Sequence, residues 1–444
     1  MGRCAVSTQK QKRPFALRAL AAFAGTLAIL FVLLLAAYAL PGERVRQHVY
    51  DSARTIQNEG LYPEYLGFKL FQMDNYTDTL MLFEAASADE LPPLQAMMTN
   101  TAYNVDNFET LADDLAWYIE KDWSAGAQRT DAPTLEPFSY ARYWHGYLIW
   151  LRPLLLLMPY TGVRIVQYIV LFALLAVVLV QLRRRCGLRA AVWFAVSQLA
   201  VSVWFVPHQV QYFTCFMIAY AGCAWVLARP RRSDVLCLGL LVLGTATAFC
   251  DLLVTPIITL GLPLTCWLLE PQQRLRGGVS QCALAVGGSL CWGTGYALCW
   301  AGKWALAGAV TGNNVLADAL HQAEVRTTAD TWHGMELTWR NIFGFLYDTL
   351  NGHHLFWPAL AVLAVLIVLF LLSIRSKTAL VRALPLALTT CMTPAWFVLL
   401  RTHSIQHGWF TWRALGLTVF AGLAFLYYAC DLRAARRRLQ KGSI

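Results

Sequence analysis

The chain has 444 residues, of which 57% are hydrophobic and only 14% are charged, and its mean hydropathy is +0.46. Soluble domains carry about 25% charged residues, so this composition excludes a disordered chain, a nucleic-acid-binding domain and an ordinary soluble enzyme. The formal net charge of +10 is therefore interpreted first through membrane topology, in which Lys and Arg mark the cytoplasmic side.

Ten apolar stretches of about 20 residues predict an all-α membrane protein with about ten transmembrane helices, folded as a single polytopic membrane domain over 1–444. The stretches are 15–40, 162–182, 188–206, 209–228, 234–250, 253–270, 279–302, 355–373, 380–400 and 411–431. The first is too long for the core of a signal peptide, and no convincing cleavage site follows it. We therefore interpret it as an uncleaved anchor.

The basic residues divide unevenly between the connections. With the N-terminus in the cytoplasm, the cytoplasmic segments hold 22 of the 36 Lys and Arg residues but only 3 of the 26 acidic residues. The positive-inside rule then predicts an integral plasma-membrane protein that crosses the bilayer several times and has both termini in the cytoplasm. The excess of positive charge is thus an orientation signal, and no nucleic-acid partner is expected.

Two predicted outer segments, 41–161 and 303–354, are too long to be simple connectors, and loops of this length usually have a function. Helical spacing in 46–60 and 101–122 predicts interfacial helices within the first segment. The apolar stretch 143–160 is broken by an Arg-Pro pair and predicts an interfacial or re-entrant helix. Walker and Rossmann patterns are absent, which argues against ATP-driven transport.

The first candidate site follows the first span by about 34 residues and contains Asp74 and Asp78. A carboxylate at the outer interface can act as a general base or bind a cation, so a divalent cation is a candidate cofactor. The structural alternative is that Asp74 forms an Asx turn and that Asp78 caps the next helix.

The second candidate site interleaves aromatic and basic residues, Arg142, Trp144, His145, Tyr147 and Arg152. Aromatic rings stack on sugars, and the forked guanidinium group of Arg suits phosphate. The alternative is an aromatic belt with snorkelling arginines, although it explains the centrally placed His145 less well.

Two further candidates are an acidic residue within the membrane region, Asp251, and the late segment Arg401, His403, His407 and Arg413. Asp251 suggests either a cavity-facing site or a helix cap in a tight turn. The late segment suggests a pocket for an anionic lipid head group, with a zinc site or a polar turn as alternatives. In the second outer segment, the candidate phosphate contacts are Lys303 and Arg326.

These motifs and their layout resemble the GT-C superfamily of polytopic glycosyltransferases. The whole chain shares that layout: a cytoplasmic N-terminus, one span, a long outer loop with an early Asp, and then many spans. Bacterial multi-span proteins of this type carry similar motifs, which here lie at 75–78, 142–147, 251–256 and 403–413. The chain differs from the better-known members in having neither an adjacent Asp-Glu pair nor an evident soluble C-terminal domain.

The resemblance implies transfer of a sugar from a polyprenyl-phosphate donor to an envelope glycan or lipid acceptor at the outer face of the membrane. It places Asp74, or else Asp78, in the role of base or metal ligand. The expected mechanism is direct displacement, in which Arg142, Arg152 and Arg401 neutralise the leaving phosphate, and Trp144 and Tyr147 stack on the sugar. The alternatives are a transporter or flippase for a lipid-linked or anionic solute, and a non-catalytic scaffold for envelope assembly.

Overall fold

The structure is a computed structural model that describes residues 14–68, 71–88, 90–103, 137–327, 331–332, 335–336, 338, 341, 343–344, 347, 356–431 and 433. The interfacial helix predicted over 101–122 lies mostly outside these residues, and its described part, Thr101–Tyr103, is a short strand.

The described part of the chain is almost entirely helical. Its α-helices are α1 (Phe15–Tyr38), α2 (Glu43–Glu59), α3 (Asn75–Ser87), α4 (Pro93–Thr99), α5 (Leu148–Leu155), α6 (Tyr160–Cys186), α7 (Leu188–Ala200), α8 (Val210–Ala228), α9 (Ser233–Cys250), α10 (Ile257–Leu269), α11 (Pro271–Arg274), α12 (Gly278–Thr311), α13 (Val315–Thr327), α14 (Phe356–Ser373), α15 (Lys377–Thr390), α16 (Met392–Leu399), α17 (Arg401–Gln406), α18 (Gly408–Thr411) and α19 (Leu415–Ala429). The short strands are β1 (Thr101–Tyr103) and β2 (Pro137–Ser139), which pair antiparallel, and β3 (Thr331–Trp332) and β4 (Met335–Glu336), which also pair antiparallel. Short 3-10 helices lie at Tyr65–Gly67, Val203–His208 and Trp412–Ala414.

Among the described residues, seven helical segments are long and apolar enough to cross a membrane. They are α1, α6, α8, α9, α12, the pair α15–α16 and the segment from α18 to α19. Three further apolar helices are shorter: Leu188–Ala200, Ile257–Leu269 and the part Leu360–Ser373 of α14. Each predicted span thus coincides with an apolar helix, and the prediction of a multi-pass, all-helical membrane protein is confirmed.

The helices differ in how much of their surface faces outward. All thirteen residues of α10 are buried, so this short helix is enclosed by protein. Large apolar side chains on the outer helices are exposed, for example Leu20 (63%), Ile169 (65%) and Leu290 (66%). Exposed apolar surface of this extent is expected where the solvent is lipid.

Contacts between helix ends define two ends of the bundle. At one end, hereafter the cavity end, Gly146 of the first long loop donates its backbone N–H to the Phe249 carbonyl at the end of α9, at 2.9 Å. At the opposite end, Arg18 of α1 pairs with Asp234 of α9 at 2.8 Å. The prediction of a helix over 46–60 is confirmed by α2, whose apolar face is buried at the cavity end.

Candidate functional site

A cavity of about 440 Å³ lies at the cavity end, between α3, the loop before α5 and the segment after α17. Its polar lining includes Asp74, Glu84, His145, Tyr147 and His407. The cavity therefore brings together the predicted base Asp74, His145 and Tyr147 of the second motif, and His407 of the late segment. It also contains Glu84, which was not among the residues predicted from the sequence. No Arg or Lys side chain is among its described lining residues.

Asp74 both caps α3 and lines the cavity. Its Oδ1 accepts the backbone N–H of Thr77 at 2.9 Å, and its Oδ2 accepts the Thr77 hydroxyl at 2.7 Å. The side chain is 3% exposed, and burial raises the pKa of Asp74 to about 6, although the bonds from Thr77 oppose the shift. The helix cap and the functional interpretation therefore apply to the same carboxylate.

Asp78 lies one turn further along α3 and is buried away from the cavity. It accepts the Tyr160 hydroxyl and the backbone N–H groups of Val210 and Gln211, both at 3.2 Å. These two amides belong to the first turn of α8 and have no partner within that helix. Burial raises the pKa of Asp78 to about 7. Asp78 thus caps the N-terminus of α8, and not a helix beginning next to it in the sequence as predicted.

His145 is held on the cavity wall by an unusual backbone. Its φ is +56°, in the left-handed region that a residue with a side chain rarely adopts. The next residue, Gly146, touches the end of α9 so closely that a Cβ there would lie 2.5 Å from the Phe249 carbonyl oxygen. The His-Gly pair therefore serves to turn the chain and to dock it on the end of α9.

Glu84, on α3, contacts four polar side chains, of which His145 and Tyr147 also line the cavity. Its Oε2 lies 2.6 Å from Nδ1 of His145 and accepts the Tyr147 hydroxyl, and its Oε1 accepts the Asn100 amide at 2.9 Å and the Tyr38 hydroxyl at 3.3 Å. The available sequence signal was an isolated acidic residue in the apolar run 80–86. Such a residue is costly to bury unless it is paired.

The late histidines are close neighbours, and one of them reaches the cavity. The His403 and His407 rings lie 4.7 Å apart, and Nε2 of His403 contacts the Leu253 carbonyl at 2.9 Å. His407 lines the cavity, and burial together with the charge of Arg326 lowers the pKa of His407 to about 4. Since Leu253 follows Asp251, this contact joins the late motif to the break between α9 and α10.

A second, smaller cavity of about 110 Å³ adjoins the first and contains the basic groups that the first lacks. Arg142 and Arg326 line it, together with Tyr143 and Trp300. Arg326 donates to the Tyr143 hydroxyl at 2.7 Å, and Arg142 pairs with Asp318 at 3.2 Å.

The two cavities are separated by residues that are adjacent or close to each other in the sequence. Leu252 and Tyr140 line the first cavity, while Leu253 and Tyr143 line the second. The two tyrosine rings are in edge contact, with centroids 5.3 Å apart.

Two residues of the second motif lie outside both cavities. The Trp144 ring is fully buried and stacks on Phe249 with centroids 4.7 Å apart, so it is not placed to stack on a sugar. Arg152 is also fully buried and donates to the carbonyls of Tyr38 and Leu40, at 3.2 and 3.0 Å. These are free carbonyls at the end of α1, and Arg152 caps that helix rather than meeting a phosphate.

The remaining predicted residues make contacts with nearby backbone and rings. Arg401 donates from Nε to the carbonyl of Thr327, the last residue of α13, at 3.1 Å. Arg413 is buried, with its guanidinium group 4.7 Å from the centre of the Tyr212 ring. Asp251 is buried too and accepts the backbone N–H of Val254 at 3.1 Å, as the predicted tight turn requires.

No group of three or more His, Cys, Asp or Glu side chains is arranged to hold a metal ion within the described part of the chain. Comparison with protein-family models, curated proteins and solved structures finds no match to this chain.

Proposed function

We propose that the chain is a membrane glycosyltransferase that moves a sugar from a polyprenyl-phosphate donor to an envelope glycan or lipid acceptor. The observation that carries this proposal is the pairing of two adjoining cavities of different chemistry. The first offers carboxylates, imidazoles and phenols, which suit the hydroxyl groups of sugars. The second offers Arg142 and Arg326 beside aromatic rings, which suit a phosphate and an isoprenoid chain.

Asp74 is the base of the proposed reaction. The oxygen of an acceptor hydroxyl attacks the anomeric carbon of the donor sugar, and its proton passes to Asp74. The bond between that carbon and the phosphate oxygen breaks, and the polyprenyl phosphate leaves with the electron pair. A carboxylate whose pKa is about 6 is ionised near neutral pH and is a better proton acceptor than an ordinary aspartate.

The proposed orientation places the cavity end outside the cell and both termini in the cytoplasm. It is supported by arginines such as Arg18, Arg185 and Arg276, which lie at the opposite end of the bundle with their partners Asp234, Glu270 and Ser233. We count ten crossings, with the three shorter apolar helices completing the set. A reporter fused to the C-terminus that is active only in the periplasm should therefore stay inactive.

The test of transfer begins in cells that lack the protein. Their envelope glycan should lose one sugar component, and the corresponding polyprenyl-phosphate sugar should accumulate. Purified protein in vesicles should transfer that sugar from the accumulated donor to glycan isolated from the same cells. The Asp74→Asn variant should lower the rate by about 100-fold or more.

The matched control is Asp51→Asn, which changes an exposed carboxylate on α2 and should leave the rate unchanged. Because the base must be ionised, the wild-type rate should fall about tenfold for each pH unit well below 6. A full rate in Asp74→Asn would exclude Asp74 as the base. Movement of the donor across the vesicle membrane with no new glycosidic bond would instead identify a transporter.

A further inference from the structure

Glu84 and His145 form a buried pair on the wall of the first cavity. Their side chains are 3% and 1% exposed, and the distance from Glu84 Oε2 to His145 Nδ1 is 2.6 Å. The other ring nitrogen, Nε2, faces the Tyr140 carbonyl at 3.1 Å and must carry a hydrogen to bond to it. This pair could not be predicted from the sequence, because its members lie 61 positions apart and Glu84 belongs to none of the predicted motifs.

The short distance fixes the number of protons in the pair. Two lone pairs cannot approach to 2.6 Å without repulsion, so one proton lies between Nδ1 and Oε2. With Nε2 also protonated, the pair is neutral overall, as imidazolium and carboxylate or as imidazole and carboxylic acid. A neutral wall matches the hydroxyl groups of a sugar better than the charge of a phosphate.

A second set of hydrogen bonds, through Asn100, holds the Oε1 side of the Glu84 carboxylate. Asn100 donates its amide N–H to Glu84 Oε1 at 2.9 Å, and its amide oxygen accepts Lys303 Nζ at 2.5 Å. Lys303, on α12, also donates to the Met97 carbonyl at 2.7 Å. Lys303 is thus linked to the Glu84 carboxylate through the Asn100 amide, and these bonds connect α12 to α3.

We propose that Glu84 is a positioning residue for sugar binding: it shares a proton with His145, accepts the Tyr147 hydroxyl and so fixes a neutral wall in which the Tyr147 oxygen accepts a hydrogen bond from a hydroxyl group of the transferred sugar. This inference rests on the proposed glycosyltransferase function. It assigns the sugar to the first cavity and leaves the phosphate to the second. Loss of the Glu84 carboxylate frees both side chains to rotate, and a misplaced contact of about 1 Å can cost 100-fold in rate.

The pair itself is tested by proton NMR of the full-length protein with labelled histidines, in the absence of any substrate. The wild type should show a strongly deshielded proton on His145 Nδ1, and this signal should disappear in His145→Gln and in Glu84→Gln. The control variant His48→Gln should keep the signal, because the partner of His48 Nδ1 among the described residues is the Leu155 carbonyl, at 2.7 Å. If Glu84→Gln does not fold, Glu84→Asp should shift the signal by lengthening the contact.

The positioning role is tested with the donor that accumulates in cells lacking the protein. Glu84→Gln should raise KM and lower kcat/KM by about 100-fold, whereas Asp74→Asn should act mainly on kcat. The absence of the deshielded proton from the wild type, or its persistence in Glu84→Gln, would overturn the shared proton. An unchanged kcat/KM in Glu84→Gln would overturn the positioning role. A wild-type protein that transfers no sugar would overturn the proposed function itself, while the NMR result would still report on the pair.

Discussion

Replacing Gly146 by alanine should uncouple the first long loop from the membrane helices. A Cβ at this position would lie 2.5 Å from the Phe249 carbonyl oxygen and 2.3 Å from Cδ1 of the same ring. The ring can rotate, but the carbonyl belongs to the backbone at the end of α9. An ordinary contact begins at 3.4 Å, so the two segments must separate by about 0.9 Å.

The cost of this separation has two parts. Overpacking of a well-packed contact costs about 1–3 kcal/mol. The hydrogen bond from the Gly146 N–H to the Phe249 carbonyl, now 2.9 Å, is stretched, which adds about 0.5–1.5 kcal/mol. We therefore expect Gly146→Ala to lower the free energy of unfolding by about 1.5–4.5 kcal/mol.

The assay is reversible unfolding of the purified protein in mixed micelles with increasing SDS, followed by tryptophan fluorescence. The matched control is Gly287→Ala on α12, where a Cβ would meet nothing within 4 Å. Because alanine favours helix over glycine, this control should gain about 0.5–1 kcal/mol. If Gly146→Ala unfolds at the same SDS fraction as the wild type, the contact between Gly146 and Phe249 does not hold the first long loop to α9.

Two further variants test groups that the structure buries away from the cavities. Arg152→Met leaves the Tyr38 and Leu40 carbonyls unpaired and should lower the free energy of unfolding by about 2–4 kcal/mol in the same assay. The control Arg54→Met, at an exposed position of α2, should change the free energy of unfolding by less than about 0.5 kcal/mol. Equal effects of the two variants would refute the capping role of Arg152. Asp78 has a pKa of about 7 when folded and about 4 when unfolded, so its contribution to stability is fully present below pH 4 and is lost as the pH rises through 7, by up to about 1.4 kcal/mol per unit. Asp78→Asn should flatten this slope between pH 5 and 7, and an unchanged slope would contradict the assignment.

The membrane architecture could be predicted from the sequence because lipid imposes a simple requirement: long apolar helices with their backbone groups paired internally. The sequence also identified His145, His407 and Asp74, which the structure brings to one cavity. Their polarity beside apolar spans was sufficient signal, since such residues are costly to bury unless they are paired.

The partners of the predicted groups could not be inferred in the same way. Arg152 and Arg401 were expected to meet phosphate, but they donate to backbone carbonyls at the ends of α1 and α13. Every helix ends in backbone carbonyls without a partner in the helix, whatever its residues are. A sequence motif therefore does not show which Arg side chain will bind them. Trp144 likewise has the composition of a sugar-stacking residue, and only the three-dimensional packing shows that Phe249 occupies its face.

The length of α12 bears on the depth of the two cavities relative to a bilayer. Its 34 residues extend about 51 Å, whereas the hydrocarbon core is about 30 Å thick. In the proposed orientation, a hydrocarbon core that begins at the first turn of α12 would leave about 20 Å of the helix beyond it at the cavity end. Lys303 lies in the last third of α12, so the same placement would put its contact with Asn100 at the level of the lipid head groups. Under the proposed function, a lipid-linked phosphate would lie at that same height and would reach the two cavities without leaving the membrane.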